Sequence, residues 1–294
     1  MEFIIGVNPD SQDADAMALG SLLCRALGAR PVLAHIYPTA FDYPSMAHVD
    51  GEWNEYLRGQ AREMLDEAAQ QFCSRFDWED VEVAMAGHRS SGRGLAEMAE
   101  ARGSALIVVG SAPGASVGRF SIGSTADKLL HNSPVPVGVA PMGYARDGIE
   151  HIGRVVVAFQ NTAESLSSLI IGAEYAEQMQ VPLRVLTLLI RHRVYGSKLG
   201  ADAEAGVLRQ IEEDSRTAHE RALAEISIAV PTDSVTPTGD SVRSALQRVD
   251  WEGDEILLLG SSGGGPLRRV FLGDMTYKLV RATGVPAVVL PRRT

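Results

Sequence analysis

The sequence predicts an α/β protein made of two successive domains, each a five-stranded parallel sheet flanked by helices. Three observations carry this reading. Strand-like and helix-like runs alternate from the N-terminus, the pattern of βαβ units. The second half repeats the order of the first. Gly110, Gly123, Pro136 and Pro141 recur as Gly260, Gly273, Pro286 and Pro291 at a constant offset of 150 residues, a co-linearity that marks tandem duplication. A chain of 294 residues with 45% hydrophobic and 22% charged residues is long and apolar enough for two ordinary cores.

The first strand is Phe3 to Val7. A helix near Asp13 to Leu27 follows, with Asp10 and Ser11 as N-cap candidates, Gly28 at its end, and Ala14, Met17, Ala18 and Leu22 on one buried face. Pro31 to Ile36 is the second strand. From Trp53 to Phe76, Leu57, Ala61, Met64, Leu65, Ala68 and Phe72 recur at three- and four-residue steps, which predicts a long amphipathic helix. A strand at Val81 to Ala86 and a short helix around Leu95 to Ala101 come next. The β-branched run "ALIVVG", ending at Gly110, reads as a buried central strand. A glycine-punctuated loop then enters a helix over Ser124 to Asn132, and "VPVGVAP" supplies the fifth strand.

The first domain therefore spans residues 1–141. The polar, aperiodic "MGYARDGIEH" is expected as part of a linker over 142–153. The second domain, 154–294, runs through "RVVVAF", a helix around Glu164 to Gln180, "PLRVLTLLI", a long helix around Ala203 to Ile228, "LLLG", a second glycine loop, a helix and "VPAVVL".

A net charge of −10 speaks against a nonspecific nucleic-acid binder, since neutralising phosphates needs a basic surface. Arg191-His192-Arg193 is the longest basic cluster and reads as a solvated loop. No apolar stretch reaches the roughly 20 residues of a membrane helix. The start "MEFIIGVNPD" lacks a signal peptide's basic end and long apolar core. Cys24 and Cys73 fall in predicted helices as small buried thiols. Together these give the expectation of a cytoplasmic, reduced protein.

The glycine loops carry the chemistry. In an open parallel sheet, ligands bind beyond the carboxyl ends of the strands, where both loops lie. Glycine permits close backbone approach and positive φ, and the free N–H groups and dipole of the following helix attract anions. Ser124 and Thr125 add hydroxyl donors. A tight turn with a serine cap is the simpler alternative. The loops match neither G-x-x-x-x-G-K-[ST] nor, after the first strand, G-x-G-x-x-G, so neither a P-loop nor a standard dinucleotide fingerprint applies.

The order of buried strand, glycine loop, helix, "PV" and last strand resembles the universal stress protein family in its tandem form. The motif G-x2-G-x9-G-[ST] stands here as Gly260-x2-Gly263-x9-Gly273-Asp274 and as Gly110-x2-Pro113-x9-Gly123-Ser124. The resemblance covers nearly the whole chain. It implies two Rossmann-like domains of the adenine nucleotide alpha hydrolase type, assembled through their last strands as an internal pseudo-dimer, and a homo-oligomer. Some members of the family bind ATP and others bind none. Carried over by position, candidate nucleotide contacts are Asn8, Asp10, Gly110, Ser111, Gly114, Gly123, Ser124 and Thr125, with Gly260, Ser261, Gly263 and Gly273 in the second copy; magnesium accompanies any bound ATP.

Four departures bear on this. The acid expected after the first strand is Asn8, with Asp10 as a substitute, and in the second domain Gln160; an amide still donates and accepts but offers no carboxylate to paired sugar hydroxyls. Pro113 has no N–H and a fixed φ; it either stiffens the loop or removes the site, and Gly114 can shift the turn by one. Asp274, in place of Ser124, reads as a self-capped, phosphate-excluding turn, the competing reading being a magnesium ligand. The expected function is thus a regulatory stress-response protein with ATP in domain 1 and a degenerate domain 2. The alternatives are an interaction module without nucleotide and a slow adenine-nucleotide hydrolase.

Other polar residues have structural explanations. The histidines at 35, 48, 88, 131, 151, 192 and 219 form no HExxH pair or Cys-His cluster, so no metal site is expected, although His35 and His88 follow strands and could line a cleft. Ser111, Ser121 and Ser261 lack a G-x-S-x-G elbow. Asp10, Asp13 and Asp15 fit a helix start.

Overall fold

The structure, a computed structural model, describes residues 1–8, 14–39, 49–191, 201–261 and 274–291. The first half contains β1 (Glu2–Gly6), α1 (Ala14–Ala26), β2 (Arg30–Tyr37), α2 (Val49–Phe76), β3 (Glu82–Gly87), α3 (Ser91–Arg102), β4 (Leu106–Gly110), α4 (Ser124–Asn132) and β5 (Val137–Ala140). A 3-10 turn at Tyr144–Arg146 leads to the second half: β6 (Arg154–Ala158), α5 (Ala163–Met179), β7 (Leu183–Leu186), β8 (Leu189–Ile190), α6 (Ala201–Ala224), β9 (Thr232–Val235), β10 (Thr238–Gly239), α7 (Val242–Leu246), β11 (Glu255–Gly260), α8 (Asp274–Ala282) and β12 (Ala287–Leu290).

The two five-stranded sheets join edge to edge into one of ten strands, ordered β3-β2-β1-β4-β5-β12-β11-β6-β7-β9. Pairing is parallel within each half and antiparallel only at the centre, where Val139 faces Ala287, Gly138 faces Val288 and Val137 faces Val289. The order reads the same from both edges, so the halves are related by a pseudo-two-fold axis through Gly138 and Val288. Because the central pair is antiparallel, the carboxyl ends of the two half-sheets point to opposite sides of the molecule.

Helices cover both faces. On one, α1 and α5 bury Leu19, Leu23, Leu169 and Ala176 against β1, β4, β6 and β11; on the other, Leu95, Leu129 and Val280 meet Ile107, Leu257 and Val289. No helix among the described residues is long and apolar enough to cross a membrane. Cys24 is buried, its thiol pKa pushed up to about 12 by desolvation, and Cys73 is half-buried.

The predicted and observed elements differ in three places. "PLRVLTLLI" divides into β7 and the two-residue β8, which pairs with β10 in a small second sheet. The outer strand β9 and the helix α7, absent from the sequence reading, lie between α6 and β11. The segment after β5 also carries more structure than its composition suggests: Tyr144 and Ile152 are buried, and the buried Asp15 carboxylate accepts hydrogen bonds from the backbone N–H of Gly143 (2.7 Å) and Ala145 (2.8 Å). Asp15 therefore fastens α1 to the connection between the halves.

Candidate functional site

The first half opens a cleft at the carboxyl ends of β1, β2 and β4, of about 230 Å³. Its floor is made by small residues, Gly6 and Ala34, which pair with one another across β1 and β2. A Cβ on Gly6 would stand 3.1 Å from Leu95 Cδ1 and 3.2 Å from Val109 Cγ1, tighter than ordinary contact. Ile36, Leu95 and Val109 supply apolar walls, and Ser124, Thr125 and Asn8 the polar ones.

The N-terminus of α4 faces this space. Gly123 is its N-cap in extended conformation and carries no side-chain cap. Ser124 is the first helical residue and exposed, so the anticipated serine cap does not form and the first N–H groups of α4 remain available. Close crossing by α3 positions this end, since a Cβ on Gly92 would fall 2.6 Å from Thr125 O. The sequence reading, starting α3 at Leu95, missed Ser91 and the role of Gly92; the signal was the Ser90–Ser91–Gly92 stretch after a strand.

The glycine loop is closed by a serine. Ser111 Oγ accepts from the Ser121 N–H (2.7 Å), and the Ala112 N–H donates to Ser121 O (2.8 Å). The positive φ required by the turn falls on Gly114, at 89°, one residue past Pro113, as its neighbouring glycine allows. Gly114 itself lines a chamber adjoining the cleft.

Of the first-domain candidates, the cleft thus gathers Asn8, Gly110, Ser111, Gly123, Ser124 and Thr125; Asp10 lies outside the described residues. Gly263 and Gly273 also lie outside them. Among the residues lining the cleft there is no Asp, Glu, Lys or Arg, and the one imidazole, His35, is engaged: Nδ1–H donates to Val7 O at 2.8 Å. Burial lowers its pKa, so the neutral ring is favoured. His88 accepts from the Ser90 N–H (2.9 Å) and does not line the cleft. Among the described residues no group of three His, Cys, Asp or Glu could hold a metal ion.

The second half differs at the equivalent positions. Ala158 replaces Gly6, and its partner across β6 and β7 is Leu186 where the first half has Ala34. Val242, the first residue of α7, stands at the 150-residue offset from Gly92 of α3. Leu186, Val242, Leu246 and Leu259 are buried in one apolar cluster, so a leucine stands where the first half has the small Ala34; the second glycine loop, 262–273, lies outside the described residues. Ser261 donates to Leu290 O (2.6 Å) and Thr276 to Gly260 O (3.2 Å). Asp274 is the first helical residue; its side chain is 92% exposed and its carboxylate pairs with Lys278 Nζ at 2.9 Å, one turn on. In this first-turn position the acid complements the helix dipole and makes an i,i+4 ion pair, while the preceding residue, 273, lies outside the described residues.

A doubly used α/β unit with a glycine loop at the carboxyl end of each half-sheet defines a tandem, Rossmann-like protein. The chain belongs to the universal stress protein family, whose model matches residues 3–141 and again 151–291. It is 34% identical over 299 residues to universal stress protein Rv2319c of Mycobacterium tuberculosis and, equally, to Mb2346c of Mycobacterium bovis, covering 99% of this chain and 100% of each relative. Among solved structures, a universal stress protein from Archaeoglobus fulgidus has the same fold, with a TM-score of 0.65 at 16% identity over 99% of this chain and 98% of that one. A putative universal stress protein from Pseudomonas aeruginosa matches with a TM-score of 0.61 at 16% identity, over 98% and 92%.

Proposed function

We propose that this protein is a cytoplasmic regulator of a stress response that binds an adenine nucleotide, ATP with magnesium, in the cleft of residues 1–141, while residues 154–294 form a degenerate half that binds none. One observation carries the reading: an open cleft ends at the uncapped N-terminus of α4 in the first half, whereas the second half carries Ala158 and Leu186 at the positions of the floor residues Gly6 and Ala34. The apolar walls suit a flat base, and the exposed N–H groups with Ser124 and Thr125 suit phosphate oxygens. Any turnover is slow in this reading, because among the described residues the lining supplies neither a carboxylate base nor a phosphate-binding lysine.

Titration calorimetry of the purified chain with ATP and magnesium tests this. Ser124→Asp is expected to weaken binding by up to roughly a thousandfold, since a carboxylate about 4 Å from a phosphate charge costs on the order of 4 kcal/mol at an effective dielectric near 20. A wild-type chain that takes up no ATP and carries no nucleotide when purified sinks the proposal. That outcome favours the second reading, an interaction module without ligand, which Asn8 and Pro113 support by withholding a carboxylate and an N–H from the site.

A further inference from the structure

We propose that the chamber between the glycine loop and the connection joining the two halves is a phosphate subsite with Arg146 as its cation. This rests on the nucleotide reading of the adjoining cleft. The chamber, about 290 Å³, is bounded by Ser111, Pro113 and Gly114 on the loop side and by Gly143 and Arg146 on the other. It shares Ser111 and Pro113 with the cleft, so a ligand tail leaving the cleft past the loop enters it.

Arg146 is the one charged residue among those lining the chamber. It forms no ion pair with a carboxylate among the described residues, and it is exposed. It also borders a neighbouring cavity of about 520 Å³ that contains Asn8, which sets its side chain between two openings beside the cleft. Its backbone is held from several directions. The Arg146 N–H donates to Gly143 O (2.9 Å), Asp15 accepts from Gly143 and Ala145, and Arg75 donates to Ala145 O (2.8 Å). Asp147 follows Arg146 in the chain, but neither it nor any other acid is among the residues lining the chamber; the Asp15 carboxylate is spent on those two N–H groups, and Glu67 lines the neighbouring cavity only.

The chemistry fits what the loop lacks. The glycine loop brings N–H donors without a cation, and Pro113 removes one of those donors. A guanidinium supplies charge and a planar pair of donors matched to phosphate. The subsite therefore recognises the di- or triphosphate tail and leaves the nucleoside to the cleft. Since Arg146 belongs to the connection, a bound polyphosphate would bridge the first half-sheet to the segment that leads to the second.

Calorimetry with ATP and with adenosine, on the full chain and on Arg146→Ala and Arg146→Lys, separates the possibilities. The expected result is a ten- to hundredfold loss of ATP affinity in Arg146→Ala, adenosine binding unchanged, partial recovery in Arg146→Lys, and a shallower salt dependence for ATP in the alanine variant. Circular dichroism and melting confirm that both variants fold. Wild-type binding of ATP with an unchanged ATP-to-adenosine ratio in Arg146→Ala overturns the subsite alone, as does an equal loss for both ligands. A wild-type chain that binds neither overturns the nucleotide reading and the subsite with it.

Discussion

Ala34 in β2 and Leu186 in β7 are register-equivalent, and the leucine carries three more carbons at the position that floors the first cleft. Ala34→Leu, copying the second half, should abolish ATP uptake and lower stability by about 1–3 kcal/mol through overpacking; calorimetry and thermal melting read the two effects, and undiminished binding would count against the cleft as the site. For the same reason Asp274→Ser should not create a site in the second half, since Leu186 still stands at the floor position. The sequence displayed the polar part of this asymmetry, in Ser124 against Asp274. It did not display the apolar part, because an alanine or a leucine inside a buried strand reads as core either way, and only the register across two strands shows that the floor of a cleft depends on it.

At the level of elements, α1 and the connecting turn are joined by one buried carboxylate. Asp15→Ala leaves the Gly143 and Ala145 N–H groups without their acceptor and should cost about 2–3 kcal/mol, seen as a lower urea midpoint; a neutral result would mean that Tyr144 packing alone holds the turn. On α6, His219 is 1% exposed, and its Nε2–H donates to Thr187 Oγ1 (2.7 Å), whose hydroxyl donates to Phe159 O (2.7 Å). Desolvation lowers the His219 pKa, as it does that of His35. A histidine whose folded pKa is depressed favours the neutral state, so its contribution is intact above the unfolded value near 6.5 and is lost as pH falls below it. Melting temperature should therefore drop between neutral pH and about pH 5, and His219→Gln, which retains an amide donor for Thr187, should reduce that slope; an unaltered slope refutes the assignment. These elements also show where sequence reading reaches its limit. β12, and β11 from Ile256 onward, were legible because they are buried on both faces and apolar. β9, at the sheet edge, exposes Thr232, Asp233 and Ser234, so its sequence carries no apolar alternation, and its place is set by pairing with β7.

For the molecule as a whole, the central antiparallel pair holds the halves together. Leu257 donates to Pro286 O, so along β12 the residue two further on, Val288, also turns its backbone toward β11, leaving Ala287 and Val289 to face β5. Val289→Pro removes a donor from that junction and should separate unfolding into two transitions by calorimetry while enlarging the radius of gyration in solution scattering; a single unchanged transition would show that helix contacts suffice. The repeat itself was plain in the sequence, since four residues recur at one spacing, and the resemblance implied the use of the last strands. With β5 and β12 paired internally, the outermost strands of the sheet among the described residues are β3 and β9, and the last strands are closed to pairing with a second chain.

Gly138 against Val288 marks what the covalent joining of the two copies permits. On the two-fold axis of a dimer of identical chains, a residue can meet only itself, and every substitution is made twice. Here a glycine meets a valine, a pairing closed to any symmetric assembly of one gene product, and a change that fills one cleft leaves the other untouched. Fusion turned an obligatory symmetry into two independently mutable halves, so that a change in one need not be matched in its twin.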